Sequence, residues 1–215
     1  MLVVLINNGS FASPTLPMLE CMTGAFREET VSHRVCPWWL GYFLLNPLRR
    51  MRQDPDKLLK PYVRKGMTVL EPGPGMGFFT LELLRLVGNS GRVIAVDIQP
   101  KMLVRLERRA TKAALANRLN ARLAVSDSME IADLTDSVDF ILAFAVVHEF
   151  PDALRFFAEV AAAAKPGAQL LLAEPRGHVD AARFEAELRA AEQVGFRSVG
   201  HPSINRSQTA LLRKL

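Results

Sequence analysis

Cysteine is scarce in this sequence, which has only two, Cys21 and Cys36, among 215 residues. They do not form a CxxC pair, and no group of histidines and cysteines has the spacing of a zinc site. This scarcity argues against a disulfide framework and predicts no bound metal. A reducing compartment is the simple expectation, so we predict a cytoplasmic protein.

Long hydrophobic runs are also missing, and the sequence therefore predicts no membrane span. The apolar stretch at the start, MLVVLI, is short and follows no positive charge, which argues against a signal peptide. We expect a disordered leader to about residue 30, or translation from a later start codon at Met18 or Met22.

Acidic residues are outnumbered by basic ones, 22 against 27, which gives a net charge of +5 at neutral pH. Such an excess is one feature of proteins that bind nucleic acid or other anions. The basic residues are interleaved with acids, however, and the group around Arg105 and Arg109 falls on a predicted helix, where a solvated face explains it. We therefore disfavour a nucleic-acid partner and expect a monomer or homodimer.

Strand-like and helix-like patterns alternate from Met67 onward. The predicted strands are residues 67–72, 92–97, 121–127, 138–145, 168–175, 196–204 and 208–214, and the predicted helices are residues 78–87, 101–116, 152–164 and 181–194, with a break at 165–167. This alternation predicts an α/β fold, with a doubly wound, mainly parallel seven-stranded sheet. The last two strands are joined by too few residues for a helical crossover, so we expect a terminal antiparallel hairpin.

Residues 1–57 differ from the rest because they hold both tryptophans and a cluster of aromatic side chains. We interpret them as an N-terminal extension that forms a helical, aromatic lid from about Trp39 to Met51, followed by a short second helix that starts at residues 54–56. Residues 58–215 are predicted to form the α/β domain.

Polar residues follow the first five predicted strands, at the point where each strand ends. They are Glu71, Asp97, Asp127, the pair His148 and Glu149, and Glu174. Because ligands of open parallel sheets bind at the carboxyl ends of the strands, these residues predict a ligand site.

The segment VLEPGPGMGFFT follows the first strand with glycines at 73, 75 and 77, which permit positive φ angles and close approach of a ligand. A dinucleotide-binding GxGxxG pattern would need glycine at position 78, where Phe78 stands. Glu71 would repel a pyrophosphate and attract an ammonium group. The segment therefore favours a ligand with an amino-acid moiety.

Five segments together resemble the class I S-adenosylmethionine-dependent methyltransferases. They are EPGPGMG, VIAVDIQPKML, VSDSMEI, VDFILAFAVVHEFPD and AKPGAQLLLAEP, in the order and spacing of that family, over residues 58–214. The resemblance implies S-adenosylmethionine as cofactor and a methyl-transfer reaction, with residues 58–215 as an S-adenosylmethionine-binding, Rossmann-like catalytic domain.

The resemblance also implies roles for single residues. Glu71 and the glycines Gly73, Gly75 and Gly77 would hold the methionine end of the cofactor, and Asp97 would accept hydrogen bonds from the ribose hydroxyls. A plain strand-end or helix-cap role is the alternative for Asp97.

The adenine would be held by residues after the second and third strands. Ile98 and Met102 would pack on the ring, Asp127 would bind its amino group, and Ser128 would offer its backbone amide. A helix cap is again the alternative for Asp127.

Candidate residues around the reacting groups follow the fourth strand. Ala143 and Phe144 would line the pocket near the sulfonium, and His148 and Glu149 stand where a catalytic base is needed for a protonated acceptor. His148 is equally well explained as a structural residue that bonds a neighbouring loop, and Glu149 as a helix cap.

The resemblance implies that the lid would help to bind the acceptor through His33, Trp38, Trp39 and Tyr42, together with His148. An aromatic lid excludes water from the reaction. Alternatively, one or both tryptophans only pin a helix onto the sheet edge.

We predict a small-molecule methyltransferase. The N/D-P-P-Y motif of nucleobase amino-methylating relatives is missing after the fourth strand, and two separated cysteines do not match an arsenite enzyme. The alternatives are an RNA or protein methyltransferase, a catalytically silent S-adenosylmethionine-binding protein and, more distantly, a dinucleotide-dependent reductase.

Overall fold

The computed structural model describes residues 53–125 and 127–215. The predicted lid helix and the candidate acceptor-binding residues His33, Trp38, Trp39 and Tyr42 lie outside the described residues. The predicted short helix is present as α1 (Pro55–Leu59), where Asp54 caps the first turn by accepting a hydrogen bond from the Asp56 amide at 3.1 Å.

A seven-stranded sheet with helices between its strands forms the described domain, which confirms the predicted fold class. The strands are β1 (Thr68–Pro72), β2 (Arg92–Asp97), β3 (Leu119–Leu123), β4 (Val138–Phe144), β5 (Ala164–Pro175), β6 (Phe196–Gly200) and β7 (Ser207–Lys214). The longer helices are α2 (Thr80–Leu86), α3 (Pro100–Lys112), α4 (Ala153–Ala163) and α5 (Ala181–Gln193).

The strand order is β3-β2-β1-β4-β5-β7-β6, and the strands from β3 to β5 are parallel to one another. Strand β7 is antiparallel to both β5 and β6, so the predicted terminal hairpin is confirmed. The carboxyl ends of β1, β2, β4 and β5 consequently meet at one edge of the sheet.

Both faces of the sheet are buried. Successive residues of a strand point to opposite sides, so each central strand contributes side chains to two hydrophobic clusters. Leu70, Ile94 and Ile141 face one hydrophobic cluster, whereas their neighbours Val69 and Val93 face the other. This explains the continuous apolar sequence of the central strands. Within the described ranges, no helix is both long and apolar enough to cross a membrane.

Several predicted boundaries were wrong. Strand β6 ends at Gly200 rather than at residue 204, and helix α3 ends at Lys112 rather than at residue 116. Strand β3 ends at Leu123 rather than at residue 127, because its last partner on β2 is Asp97, where β2 itself ends. The predicted break at 165–167 lies inside β5: Ala164 pairs with Val138, and the register shifts before Gln169 pairs with Phe140. The proline and glycine there form a bulge, a position in which a strand tolerates them.

Candidate functional site

The glycine loop, residues 73–77, connects β1 to α2, and its three glycines have positive φ angles of 66°, 54° and 82°. They have different neighbours. A Cβ on Gly73 would lie 2.6 Å from Val146 Cγ2, and one on Gly77 would lie 2.5 Å from Leu106 Cδ1, whereas one on Gly75 would have no atom within 4 Å. Gly73 and Gly77 therefore make room for side chains of the protein, and Gly75 alone faces open space.

Glu71 lies just before this loop and is only 3% exposed. Its Oε2 atom is buried without a hydrogen-bond partner among the described residues. Burial raises the pKa of Glu71 to about 8; nearby Thr80 lowers it in part, and the charge of Asp97 raises it further. The Thr80 hydroxyl nevertheless makes no hydrogen bond of ordinary geometry. A buried, unpaired carboxyl group is well suited to receive a cation.

Asp97 ends β2 and is 8% exposed. Its Oδ1 accepts a hydrogen bond from the Gln99 amide at 2.8 Å. Burial raises the pKa of Asp97 to about 6, against the lowering effect of the Gln99 and Gly75 amides. Asp97 thus joins the end of β2 to the open position of the glycine loop.

Replacing Glu71 by glutamine should make the ligand-free protein less sensitive to pH between 7 and 8. The pKa of glutamate is about 4.5 when it is unperturbed, and the pKa of Glu71 in the folded state is about 8. Between these two pH values the folded state binds one more proton than the unfolded state, so the free energy of unfolding falls as the pH rises. This contribution is about 1 kcal/mol between pH 7 and 8. Urea unfolding at the two pH values measures it.

The control for this prediction is the substitution of the exposed Glu107 by glutamine, which should leave the pH dependence unchanged. Four other groups with raised pKa values, Asp97, Glu187, His148 and Arg122, are common to all three proteins, so their contributions cancel in the comparison. An equal loss of stability in wild type and Glu71→Gln would contradict the raised pKa of Glu71.

The candidate adenine-binding residues surround the ends of β2 and β3. Met102 is buried and Ile98 is 40% exposed. Asp127 does not directly follow β3, and its Oδ2 forms an exposed ion pair with Arg155 at 2.9 Å. The Ser128 amide donates to the Val125 carbonyl at 3.4 Å. Contacts from these two residues to a ligand would compete with the bonds they already make.

Ala143 and Phe144 end β4. Ala143 is fully buried, and the half-buried Phe144 ring packs on Phe79 of the segment before α2, with the ring centroids 4.6 Å apart. The carboxyl end of β4 is therefore attached to the segment that follows the glycine loop.

The β4 loop, residues 145–149, carries His148 and is held by Glu174 at the end of β5. The Glu174 carboxylate is fully buried; its Oε1 accepts from the Val146 amide at 3.2 Å and from the Val147 amide at 2.8 Å. Its Oε2 bonds to His148 Nδ1. Since Val146 also packs on Gly73, one continuous path of contacts connects the glycine loop to His148.

Burial alone would lower the pKa of His148. The hydrogen bond and charge of Glu174, together with Glu149, outweigh burial and the opposing charge of Arg183, so the pKa lies above its ordinary value. Glu149 shares a 3-10 turn with His148 (Val147–Glu149).

Sequence reasoning missed three residues beside this pair: His178, Arg183 and Glu187. His178 Nδ1 lies 3.4 Å from His148 Nε2, and Arg183 Nη2 donates to the His148 carbonyl at 2.8 Å. Glu187 is 3% exposed, and burial raises its pKa to about 7. Glu174 was visible as a strand-end carboxylate; the other three lie after β5 or on α5 and carry no motif.

The chemistry of these groups fits S-adenosylmethionine. The unpaired Glu71 oxygen suits an ammonium group, Asp97 suits a pair of hydroxyls, and Gly75 leaves the space that a ligand needs close to the backbone.

Comparison with known proteins gives the same result. A family model described as a methyltransferase domain matches residues 63–209. The chain is 30% identical over 112 residues to a demethylmenaquinone methyltransferase of Staphylococcus aureus, which is 52% of this chain and 44% of that protein. It is 32% identical over 113 residues to a ubiquinone/menaquinone biosynthesis C-methyltransferase of Klebsiella pneumoniae, again 52% of this chain and 44% of that protein. The chain thus matches less than half the length of these curated relatives.

A solved structure of an S-adenosylmethionine-dependent methyltransferase from Aquifex aeolicus superposes with a TM-score of 0.72 at 27% identity, covering 82% of this chain and 97% of that one. The predicted family and cofactor are confirmed. With the family model covering most of the described domain, the chain belongs to the methyltransferase-domain family, whose cofactor is S-adenosylmethionine.

Proposed function

We propose that this protein transfers a methyl group from S-adenosylmethionine to a small-molecule acceptor at the carboxyl edge of its sheet. The observation that carries the proposal is the buried, unpaired carboxyl group of Glu71 beside Asp97 and the open Gly75. An ammonium group would satisfy the orphaned Glu71 oxygen, and the ribose hydroxyls would satisfy Asp97.

S-adenosylmethionine supplies an already activated methyl group when it is bound. The residues of this chain then have two tasks, which are to hold the acceptor in line and to deal with its proton. Ala143 and Phe144, at the end of β4, are proposed to shape the pocket next to the reacting groups. The candidate lid residues keep their proposed role in binding the acceptor.

The acceptor is proposed to lose a proton on methylation. The His148–Glu174 pair supports this, because a buried carboxylate raises the basicity of the imidazole it orients. The Klebsiella relative is named a C-methyltransferase, and methylation of carbon replaces a C–H bond and releases a proton. We therefore favour a quinol-type acceptor, in which carbon or oxygen is methylated.

Binding measurements test the proposal first. Calorimetric titration should show binding of S-adenosylmethionine and S-adenosylhomocysteine in the micromolar range and no binding of NADH. Substitution of Asp97 by alanine should weaken both sulfur ligands by at least about tenfold, because about 1.4 kcal/mol accompanies each tenfold change and a charged hydrogen-bond partner contributes that much or more.

The matched control is the substitution of Asp133 by alanine, which removes an exposed aspartate paired with Arg122 and should leave binding unchanged. Binding of NADH alone would overturn the proposal in favour of a reductase. Tight binding of S-adenosylmethionine without turnover on any quinol would favour the silent binding protein, and turnover that falls steeply with salt on RNA would favour an RNA methyltransferase.

A further inference from the structure

His148 does not present a free nitrogen to solvent. Its side chain is 12% exposed. One ring nitrogen bonds to Glu174, and the other faces His178 Nδ1 at 3.4 Å, with the ring centroids 5.3 Å apart. His178, in contrast, is exposed on the β5 loop, residues 176–179. The outermost nitrogen of this chain of groups is therefore Nε2 of His178.

The hydrogen bonds determine which ring nitrogens of His148 and His178 carry a proton. Glu174 accepts from two backbone amides, so its carboxylate is the natural acceptor for an Nδ1–H of His148. Neutral His148 then has a lone pair on Nε2, which can accept an Nδ1–H from His178. In this state the lone pair of His178 is on Nε2, its exposed nitrogen.

Charged groups surround the two rings. Glu174 comes from β5, Glu149 from the β4 loop, and Arg183 and Glu187 from α5; Arg183 opposes a positive charge on His148, whereas the carboxylates favour it. One proton added to the histidine pair is thus stabilised by its neighbours. A second would bring two imidazolium rings together at 3.4 Å.

We infer that His178 is the outer member of a Glu174–His148–His178 proton relay, and that its Nε2 is the atom that takes the proton of the acceptor. This inference rests on the proposed function. It assigns His148 and Glu174 the task of positioning His178 and of sharing the charge that His178 acquires.

The proton balance is simple. As the methyl group would bond to the acceptor atom, its bond to the sulfonium sulfur would break and leave the electron pair on sulfur. The O–H or C–H bond of the acceptor atom would break as well, and its proton would bond to His178 Nε2. The imidazolium of His178 is then stabilised by its Nδ1–H bond to His148 Nε2, while His148 Nδ1–H remains on Glu174. Release of the proton from His178 Nε2 to water restores the starting state.

Nuclear magnetic resonance of 15N-labelled imidazole groups tests the relay without cofactor or acceptor. In wild type, the 15N resonances of His148 should show one titration step more than in His178→Ala, because the two rings face each other at 3.4 Å and coupled groups share their steps. The steps that come from Glu187 and Glu149 are common to both proteins. Substitution of His201, which bonds to the Thr209 carbonyl away from this cluster, should leave the titration of His148 unchanged.

Turnover of a reduced naphthoquinone without its ring methyl group is the second measurement. His178→Ala should lower kcat by about 10- to 100-fold, and added imidazole should restore part of it, whereas S-adenosylmethionine affinity stays the same. The relay would be overturned if the His148 resonances titrated in the same way in wild type and in His178→Ala. A zinc ion that co-purifies with wild type and is lost from His178→Ala would also overturn it. If the wild-type protein did not bind S-adenosylmethionine, the proposed function would be rejected, whereas the titration would still decide the relay.

Discussion

Replacing Glu174 by alanine is expected to lower the free energy of unfolding by about 3 to 5 kcal/mol, the usual cost of removing one partner from a buried polar cluster. The side chain is fully buried and accepts hydrogen bonds from two amides of the β4 loop and from His148. Without it, these donors lose their acceptor, and each unsatisfied buried donor costs free energy. Urea unfolding of the ligand-free protein at pH 7 measures the loss.

Glutamine at position 174 is the matched control. Its carbonyl oxygen still accepts from the Val146 and Val147 amides, so the loss of stability should be much smaller. Its amide group, however, would donate toward His148 Nδ1, and the charge that favours protonated His148 would be gone. We expect a lower pKa of His148 in this variant. Equal stability of the alanine variant and wild type would show that the β4 loop does not depend on Glu174.

Replacing Gly73 by alanine is expected to lower the free energy of unfolding by about 2 to 5 kcal/mol, the sum of the costs of a left-handed backbone and of an overpacked contact. The φ angle is 66°, and the new Cβ would lie 2.6 Å from Val146 Cγ2. Because Val146 is buried and its amide is bonded to Glu174, it has little freedom to move away. Thermal and urea unfolding measure the effect.

Gly167 provides the control, since it has a similar φ angle of 82° and no atom within 4 Å of an added Cβ. Gly167→Ala should therefore cost only the backbone part, about 1 to 2 kcal/mol. Adding Val146→Ala to Gly73→Ala should recover stability relative to the sum of the two single changes. Equal losses for Gly73→Ala and Gly167→Ala would show that Val146 moves aside freely.

The carboxyl edge of the sheet could be predicted from sequence because polar residues stand at or just after the ends of the apolar strands β1, β2, β4 and β5. Glu71, Asp97 and the β4 loop lie at that edge as the alternation of strands and helices predicts. Their contacts could not be predicted. The sequence shows three equivalent glycines, whereas only the fold reveals that Val146 and Leu106 occupy the space beside two of them.

The remaining differences between the sequence-based predictions and the structure come from contacts between residues that are distant in sequence. Strand β3 ends where its partner β2 ends, which local patterns on β3 do not reveal. His178 contacts His148 across 30 residues, and no spacing rule connects them. Ser128 was predicted to follow β3 directly, but β3 ends at Leu123 and the Ser128 amide bonds to the Val125 carbonyl, in a turn that the strand pattern did not reveal.

Strand β7 has a consequence for how the molecule is assembled during synthesis. It pairs with β5 along residues 207–213, including Gln208 beside Glu174. Two hydrogen bonds connect the β5 loop to this part of the chain. The Arg176 amide donates to the Arg206 carbonyl at 3.0 Å, and Gln208 Nε2 donates to the Val179 carbonyl at 2.8 Å. A ribosome makes the chain from its N terminus, so the glycine loop can form early. Strand β5 carries Glu174 and leads to His178, and it gains its second neighbouring strand, β7, only after residues 206–213 have emerged. A nascent chain can thus form the glycine loop well before β5, which carries Glu174, has both of its neighbouring strands.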